Sequence, residues 1–339
     1  MSNRVGIGAF AGVGEESAFA TAVAASKYFE LGPGDDKLVL EKAVIESPII
    51  TERGVDIANA LPGAETVSGS LALQLRYGGG WGIFYEHLLG NRFTDSGTGP
   101  YTHSLSVGGT NAALVGKGLS VIVNRDGLLA AGADKAYRYF GCRPTAIELT
   151  AEYGAIAKLD ITLMGAGADF LTMPTASFSS TGWVQSPSQA SSPTSVIQFG
   201  TDGSEAAYVA RKASVKIEQP HEEVRDLADV TMAEPGISDM LAMTGSFEVR
   251  FDGTGASGDP FTTVYRTQTA KSLLITLDGA TPASESLLFD CPDVLITSAS
   301  EPHADAAGVL WQTVEWKAYR DGSANEATLT VINADATIF

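Results

Sequence analysis

Two short runs, Leu71-Ala72-Leu73-Gln74-Leu75-Arg76-Tyr77 and Phe247-Glu248-Val249-Arg250-Phe251, put an apolar residue at every second position, the period of a half-buried β-strand. Each follows a small-residue step, Ser68-Gly69-Ser70 or Thr244-Gly245-Ser246. Each is also preceded by a Pro-Gly pair, at Pro62 or Pro235, and before that by another strand-like run, Leu38 to Ile45 or Ser214 to Glu218. Downstream, Lys117-Gly118-Leu119 matches Lys271-Ser272-Leu273, each run reaching an Asp-Gly turn. Phe140-Gly141-Cys142 then matches Phe289-Asp290-Cys291, with Ile147 and Ile296 five residues beyond the cysteines. Alternating strands close both series, at Leu159 to Leu163 and Val314 to Ala318. One order of features read twice predicts a tandem duplication. Cys142 and Cys291 are then equivalent positions in separate copies, expected buried and unpaired.

Five Asp-Gly pairs mark tight turns, because glycine tolerates the positive φ that hairpins require. With 37 Gly, 14 Pro and only 18% charged residues, the chain suits short strands joined by turns. The expected class is all-β with minor α. Trp81 to Leu89 departs from this: Trp81, Phe84 or Tyr85, and Leu88 recur at helical spacing and Gly90 follows as a C-cap, predicting a short amphipathic helix packed on a sheet. Pro174 to Ser195, rich in Ser, Thr, Pro and Ala, reads as a linker. The resulting division is an N-terminal arm (1–35), a first domain (36–173), the linker (174–195) and a second domain (196–339).

Charge and motifs exclude several functions. Forty Asp and Glu against 22 Lys and Arg give a net charge of −18, which repels phosphate backbones and anionic lipid. No stretch approaches the eighteen apolar residues of a membrane helix. Residues 5–14 are too glycine-rich for a secretory leader, so synthesis in the cytoplasm is expected. Gly6-x-Gly8-x-x-x-Gly12 misses the dinucleotide fingerprint and reads as part of a flexible arm. His87, His103, His221 and His303 are too scattered for a compact metal site, and His103 and His221 are expected in exposed turns. No nucleophile elbow or Cys-His pattern occurs, and carboxylate pairs such as Asp35-Asp36 are too common in so acidic a chain to indicate catalysis. No catalytic, metal or cofactor site is expected.

The run Gly12-Val13-Gly14-Glu15-Glu16-Ser17-Ala18-Phe19-Ala20-Thr21-Ala22-Val23, followed by Lys27-Tyr28-Phe29-Glu30-Leu31, resembles the opening of one family of tail tube proteins of long-tailed bacteriophages, which start with a Gly-x-Glu-x-x-x-Gly-Thr-Ala-Val type motif and an aromatic strand. Ala20 stands where that family usually has Gly. The resemblance continues through the Gly69-Ser70 strand, the helix ending at Leu89-Gly90, Tyr101-Thr102-His103-Ser104 and the Phe140-x-Cys142 strand, and it reaches the second half mainly through the repeat.

The resemblance implies a ring protein of two tandem tube folds, each a small β-sandwich with a short flanking helix. Its rings stack into the tail, and one sheet per fold joins its neighbours in a continuous inner barrel through which DNA is ejected. A chain with two folds would close as a trimer with pseudo-sixfold symmetry. Six folds of four strands, roughly 24 strands at about 4.8 Å spacing and about 40° tilt, make a barrel on the order of 48 Å across, wide enough for duplex DNA. The partners implied are further copies of the chain, tail terminator, tape measure and tail tip proteins, with genomic DNA passing unbound and no membrane involved. A duplicated tube chain leans towards a non-contractile tail. The lumen is expected to be acidic, with Glu148, Glu152, Asp160, Glu248 and Glu315 as candidates by alternation, although an outward sheet facing solvent fits each of them as well. The Pro-interrupted segments Ser47 to Val67 and Gln219 to Met243 exceed ordinary hairpin loops and are expected to reach an adjacent ring, through Pro48, Ile49, Ile50, Glu52, Arg53 and Pro62 in the first and Pro220, Glu222, Glu223, Arg225 and Pro235 in the second. The N-terminal arm and the Ile338-Phe339 end are expected to add ring contacts. Two rival readings stand: an exterior decoration domain on a ring of six chains, and an all-β polysaccharide hydrolase.

Overall fold

The computed structural model describes residues 9–32, 34–51, 54–107, 111–125, 135–172, 174–184, 197–225, 231–251, 260–279, 281–300, 303–304, 310–319 and 327–338. The first half forms β1 (Phe10–Glu15), β2 (Lys27–Glu30), β3 (Val39–Thr51), β4 (Gly54–Gln74), α1 (Gly82–Leu89), β5 (Thr94–Ser96), β6 (Tyr101–Ser106), β7 (Leu119–Asn124), β8 (Lys135–Glu152), β9 (Lys158–Gly165) and β10 (Gly167–Thr172). The second half forms β11 (Ile197–Thr201), β12 (Ser204–Tyr208), β13 (Ala210–Glu218), β14 (His221–Glu222), β15 (Gly236–Ile237), β16 (Ala242–Phe251), α2 (Pro260–Thr267), β17 (Lys271–Asp278), β18 (Ser286–Ala299), β19 (His303–Ala304), β20 (Leu310–Ala318) and β21 (Thr328–Asn333). The chain is all-β with minor α, as its alternation and turns require, and all of its strand ladders are antiparallel.

One pattern of pairing recurs in both halves. In the first, β4 pairs with β9 and β9 with the C-terminal part of β8; in the second, β16 pairs with β20 and β20 with the C-terminal part of β18. β8 and β18 each bend out of this layer, and their N-terminal parts pair with β7 and β17 in a second layer. Leu119 lies opposite Cys142 and Leu273 opposite Cys291, as the sequence match requires, and both cysteines are buried and free. A register shift falls just beyond the bend in both strands, between the pairs of Pro144 and Ala146 and between those of Ile296 and Ser298. The ladders make Ala299, opposite Val314, the counterpart of Ile147, opposite Ile161. Ile296, matched to Ile147 by its spacing from cysteine, lies earlier in the strand, because β18 takes three more residues to reach its bulge.

Gly69 and Gly245 serve one purpose in the two halves. A Cβ at Gly69 would strike the Lys37 carbonyl, and one at Gly245 the Ser214 carbonyl, so each glycine lets the neighbouring strand lie close.

The halves are joined twice. β13 pairs with β8 over seven residues, from Lys212 opposite Glu152 to Glu218 opposite Ala146. The inner layer is therefore one sheet in the order β3-β4-β9-β8-β13-β16-β20-β18, four strands from each half. In the outer layer β6 pairs with β21 over six residues, so the β5–β6 hairpin of the first half extends the sheet of the second. His103 pins that seam: its Nδ1 lies 2.6 Å from Asp95 and its Nε2 3.0 Å from the Asn333 side chain and 3.1 Å from the Asp335 carbonyl. It is wholly buried, not in an exposed turn, because β6 is an interior strand of the combined sheet. His221 is half-buried in β14.

α1 ends at Gly90 in the left-handed conformation, as expected, but it is not amphipathic: Gly82 through Leu88 are all buried. Phe29 from the first half, Phe289 from the second, and Ile338 surround it. Ile338 is thus a core residue of its own chain rather than a free terminus. α2, through Phe261 against Phe199, Tyr208 and Phe247, is the flanking helix of the second half. The stretch read as an N-terminal arm contains β1, buried between β2 and β7. Part of the expected linker also packs: Val184 is buried, exchanging backbone hydrogen bonds with Leu75 and Ala157, and Trp183 lies under the Arg76 guanidinium at 3.5 Å. Residues 185–195 of the linker lie outside the described residues.

Candidate functional site

The inner sheet buries alternate residues, among them Leu71, Ile161, Ile147, Val215, Phe247 and Val314, and turns the intervening ones away from the core. Glu148, Glu152, Asp160, Glu248 and Glu315 all stand on that outward face, brought together from four strands. Their neighbours there were not legible in any single strand. Glu148 lies opposite Asp160 on one side and Lys216 on the other, Glu152 lies opposite Lys212, and Lys212 lies opposite Glu248. Arg211, at a register shift in β13, donates to the Glu248 carboxylate through Nη2 at 2.6 Å and Nε at 2.7 Å, and Lys216 reaches Glu218 at 2.5 Å.

The acidic face expected from sequence is therefore a mixed one. From Ser68 in β4 across to β20, it carries six acids (Asp160, Glu148, Glu152, Glu218, Glu248, Glu315) and six bases (Lys158, Arg211, Lys212, Lys216, Arg250, Lys317). On this face the two signs cancel, in a chain whose net charge is −18. Serine, threonine, alanine and glutamine fill most of the remainder. Alternation picks out acids strand by strand, but lysines at matching parity on the next strand share the face, and only the register reveals them.

The two long segments differ. Ser47 to Val67 is a β-hairpin rather than a loop: β3 and β4 pair to their ends, Thr51 opposite Gly54. Pro48 sits at a register shift and Pro62 beside another, opposite Val44, so the prolines fall where the ladder is already interrupted. Ile49 and Ile50 are paired strand residues, and Glu52 and Arg53 lie outside the described residues. Val44 and Ile45, further down the hairpin, are 62% and 58% exposed.

The described residues of Gln219 to Met243 instead lie across the chain itself, while 226–230 lie outside the described residues. Arg225 donates to the Glu65 carbonyl at 2.6 Å and the Thr66 hydroxyl at 2.7 Å, and that hydroxyl donates to Glu223 at 3.3 Å. Glu234 pairs with Arg143 and accepts the Gly116 N–H at 3.1 Å. Pro235 is buried, Glu222 pairs opposite Gly236, and Pro220 is exposed, its carbonyl accepting the Ser238 N–H at 3.0 Å.

The N-terminal motif builds the support beneath this surface. Glu16, fully buried, accepts hydrogen bonds from the Ser120 hydroxyl and the Gly141 N–H, both at 2.8 Å, and its burial raises its carboxyl pKa. Ala20 follows at φ 59°, the left-handed region in which the resembled motif carries glycine. Glu15 contacts His87 at 3.3 Å, Lys117 at 3.2 Å and Arg92; the His87 hydrogen bond foremost, with the two cations, holds its pKa down at about 2 against the opposing effect of burial. Glu86 and His87, on buried α1, find Arg92, the Phe93 N–H and Glu15 as partners. Glu15 and Glu16 were visible in the sequence as part of the motif; His103 was visible only as a member of the Tyr101–Ser104 segment and His87 only within the helical run, and neither spacing pointed to the distant residues they touch. Among the described residues no group of three or more metal-binding side chains converges.

A chain whose outward-facing sheet runs unbroken through both halves, backed by a second layer and two short helices, is built as a wall rather than as a pocket. It belongs to the phage tail tube protein family, whose model matches residues 6–318. Its role is that of a structural protein of the virion tail tube. No match is found among curated proteins.

Proposed function

We propose that this chain carries two copies of the tube fold, within residues 36–173 and 196–339, and that three chains close into a ring whose inner barrel is the channel for DNA. The observation that carries this reading is the β8–β13 ladder. Within one chain, two four-strand sheets already meet edge to edge, the relation that neighbouring folds in a ring must have. Three chains supply roughly 24 strands, and about 4.8 Å per strand with about 40° of tilt gives a barrel on the order of 48 Å across, open to duplex DNA once inward side chains are allowed for. An exterior decoration domain would have no reason to extend the inner sheet.

The outward face, with its ion pairs and small hydroxyl residues, becomes the channel wall. Lys212 and Lys216 lie opposite carboxylates and Arg211 pairs with Glu248, so the cations of this face are largely offset, counterion release from the phosphate backbone is limited, and little net field acts beyond a Debye length of about 8 Å. DNA can pass such a wall without being held. The β3–β4 hairpin, projecting beyond the sheet, makes the contact to the next ring, while terminator, tape measure and tip proteins cap and fill the tube. The chain is made in the host cytoplasm and ends in the virion tail.

Negative-stain electron microscopy of the purified chain, with mass measurement of isolated rings, tests the proposal. Hollow rings of three chains are expected. Rings of six chains, or a chain that never assembles, would overturn it.

A further inference from the structure

Building on that ring reading, we propose that successive chains join through the edge of β3 in one copy and the edge of β18 in the next, in the register that joins β13 to β8 within the chain. Two ladder alignments lead to this joint. Asp36 lies opposite Leu71 and Val39 opposite Ser68, as Ala213 lies opposite Phe247 and Lys216 opposite Thr244. Leu40 therefore occupies the place of Ile217, and Glu41 that of Glu218. At the other end of the sheet, Ser298 lies opposite Glu315 and Ala299 opposite Val314, where the first half has Ala146 opposite Thr162 and Ile147 opposite Ile161. Carried over, the pairs Ile217–Ile147 and Glu218–Ala146 become Leu40–Ala299 and Glu41–Ser298 between chains.

Burial agrees with a missing neighbour. Ile217, covered by β8, is 1% exposed, whereas Leu40 is 37% exposed. Ile147 is fully buried, whereas Ala299 is only partly so. Beyond Val294, β18 pairs with β20 alone among the described strands, and β3 pairs only with β4.

Hydrogen bonding fixes where the joint begins. The Lys37 N–H bonds the Ser70 carbonyl, so the N–H and carbonyl of Leu38 point to the open edge. There the Asp36 carboxylate accepts the Leu38 N–H at 3.0 Å, and the Arg125 guanidinium and Tyr139 hydroxyl donate to the Leu38 carbonyl at 2.6 and 3.0 Å. The edge is closed at Leu38, and the next outward-pointing groups are those of Leu40. Covering part of an edge in this way limits unwanted strand addition and leaves one register to a second copy.

Cysteine cross-linking tests the register, with Cys142 and Cys291 both buried and free. In assembled material of the double variant Glu41→Cys, Ser298→Cys, mild oxidation is expected to give dimer and then trimer bands, with trimer the largest. The control Ala146→Cys, Glu218→Cys, across the joint inside the chain, is expected to close without changing the number of chains per band. Rings that give no interchain band, while the control closes, would overturn this joint and leave the ring reading standing. Should the cysteine variant not assemble, Leu40→Asp decides: a monomer with the wild-type circular dichroism spectrum supports the joint, and normal rings overturn it. Wild-type chain that stays monomeric at every concentration removes the ring reading and this joint together.

Discussion

Lys216 stands directly opposite Glu148, across the seam at which the two halves of the chain become one sheet. Asp160 flanks the same glutamate on its other side. K216E therefore places like charges along three adjacent strands. A loss of roughly 0.5–1 kcal/mol is expected at low salt, shrinking as salt screens it. Urea midpoints at two ionic strengths measure this, and adding Glu148→Lys should restore most of the loss; an unchanged midpoint at low salt would count against the register.

Ala20 holds a left-handed backbone next to the buried Glu16. Ala20→Gly removes a strain of about 1–2 kcal/mol and adds back part of it through a freer unfolded chain. The net expectation is a gain of roughly 0.5 kcal/mol, about 1 °C in melting temperature for a chain of this size. A lower melting temperature would show that the alanine methyl contributes more than the strain costs.

Glu15 has its carboxyl pKa lowered to about 2. A lowered carboxylate contributes stability above its unfolded value of about 4.5 and loses it as pH falls through the folded value. Stability should fall between about pH 4.5 and pH 2, and E15Q should flatten that part of the profile and lower stability at pH 7. Because the carboxylate is partly solvated, the neutral-pH loss is expected at roughly 1 kcal/mol, less than the full shift implies. Chemical denaturation across pH, comparing slopes in the two proteins, is the measurement.

His103 links Asp95 to Asn333 and Asp335 across the β6–β21 seam. H103A removes the contacts to Asp95, Asn333 and the Asp335 carbonyl and empties a wholly buried position, and should cost roughly 2–4 kcal/mol. Hydrogen exchange should show the loss concentrated in β5, β6 and β21; uniform loosening of the whole chain would argue against a seam.

The β3–β4 hairpin stays paired to its end, Thr51 opposite Gly54, beyond the point at which β4 leaves β9. Replacing residues 49–56 by Asn-Gly should leave a soluble, folded chain, judged by circular dichroism and melting temperature, that no longer stacks into tubes. Normal tubes from this variant would remove the hairpin from ring contacts.

Much of the fold was legible because it rests on local rules. Alternation marked β4, β9, β16 and β20, Gly90 marked the end of α1, and the twin placement of Leu119 and Leu273 before Cys142 and Cys291 survived as matching ladder positions. Glu15 and Glu16 could be seen as a motif, although nothing in their spacing said that one is buried and the other sits among two cations and a histidine.

What sequence determined by itself was the strand content, the twofold order of features and the parity that sends five acids to one face, because each depends on residues within a few positions of one another. Tertiary structure alone decided the sign of that face, the burial of His87 and His103, the hairpin in place of a loop, and the seam from β8 to β13. Each of these depends on which strand lies beside which and in what register. That choice is made by burying the apolar side of a whole sheet at once, over separations that no local pattern spans.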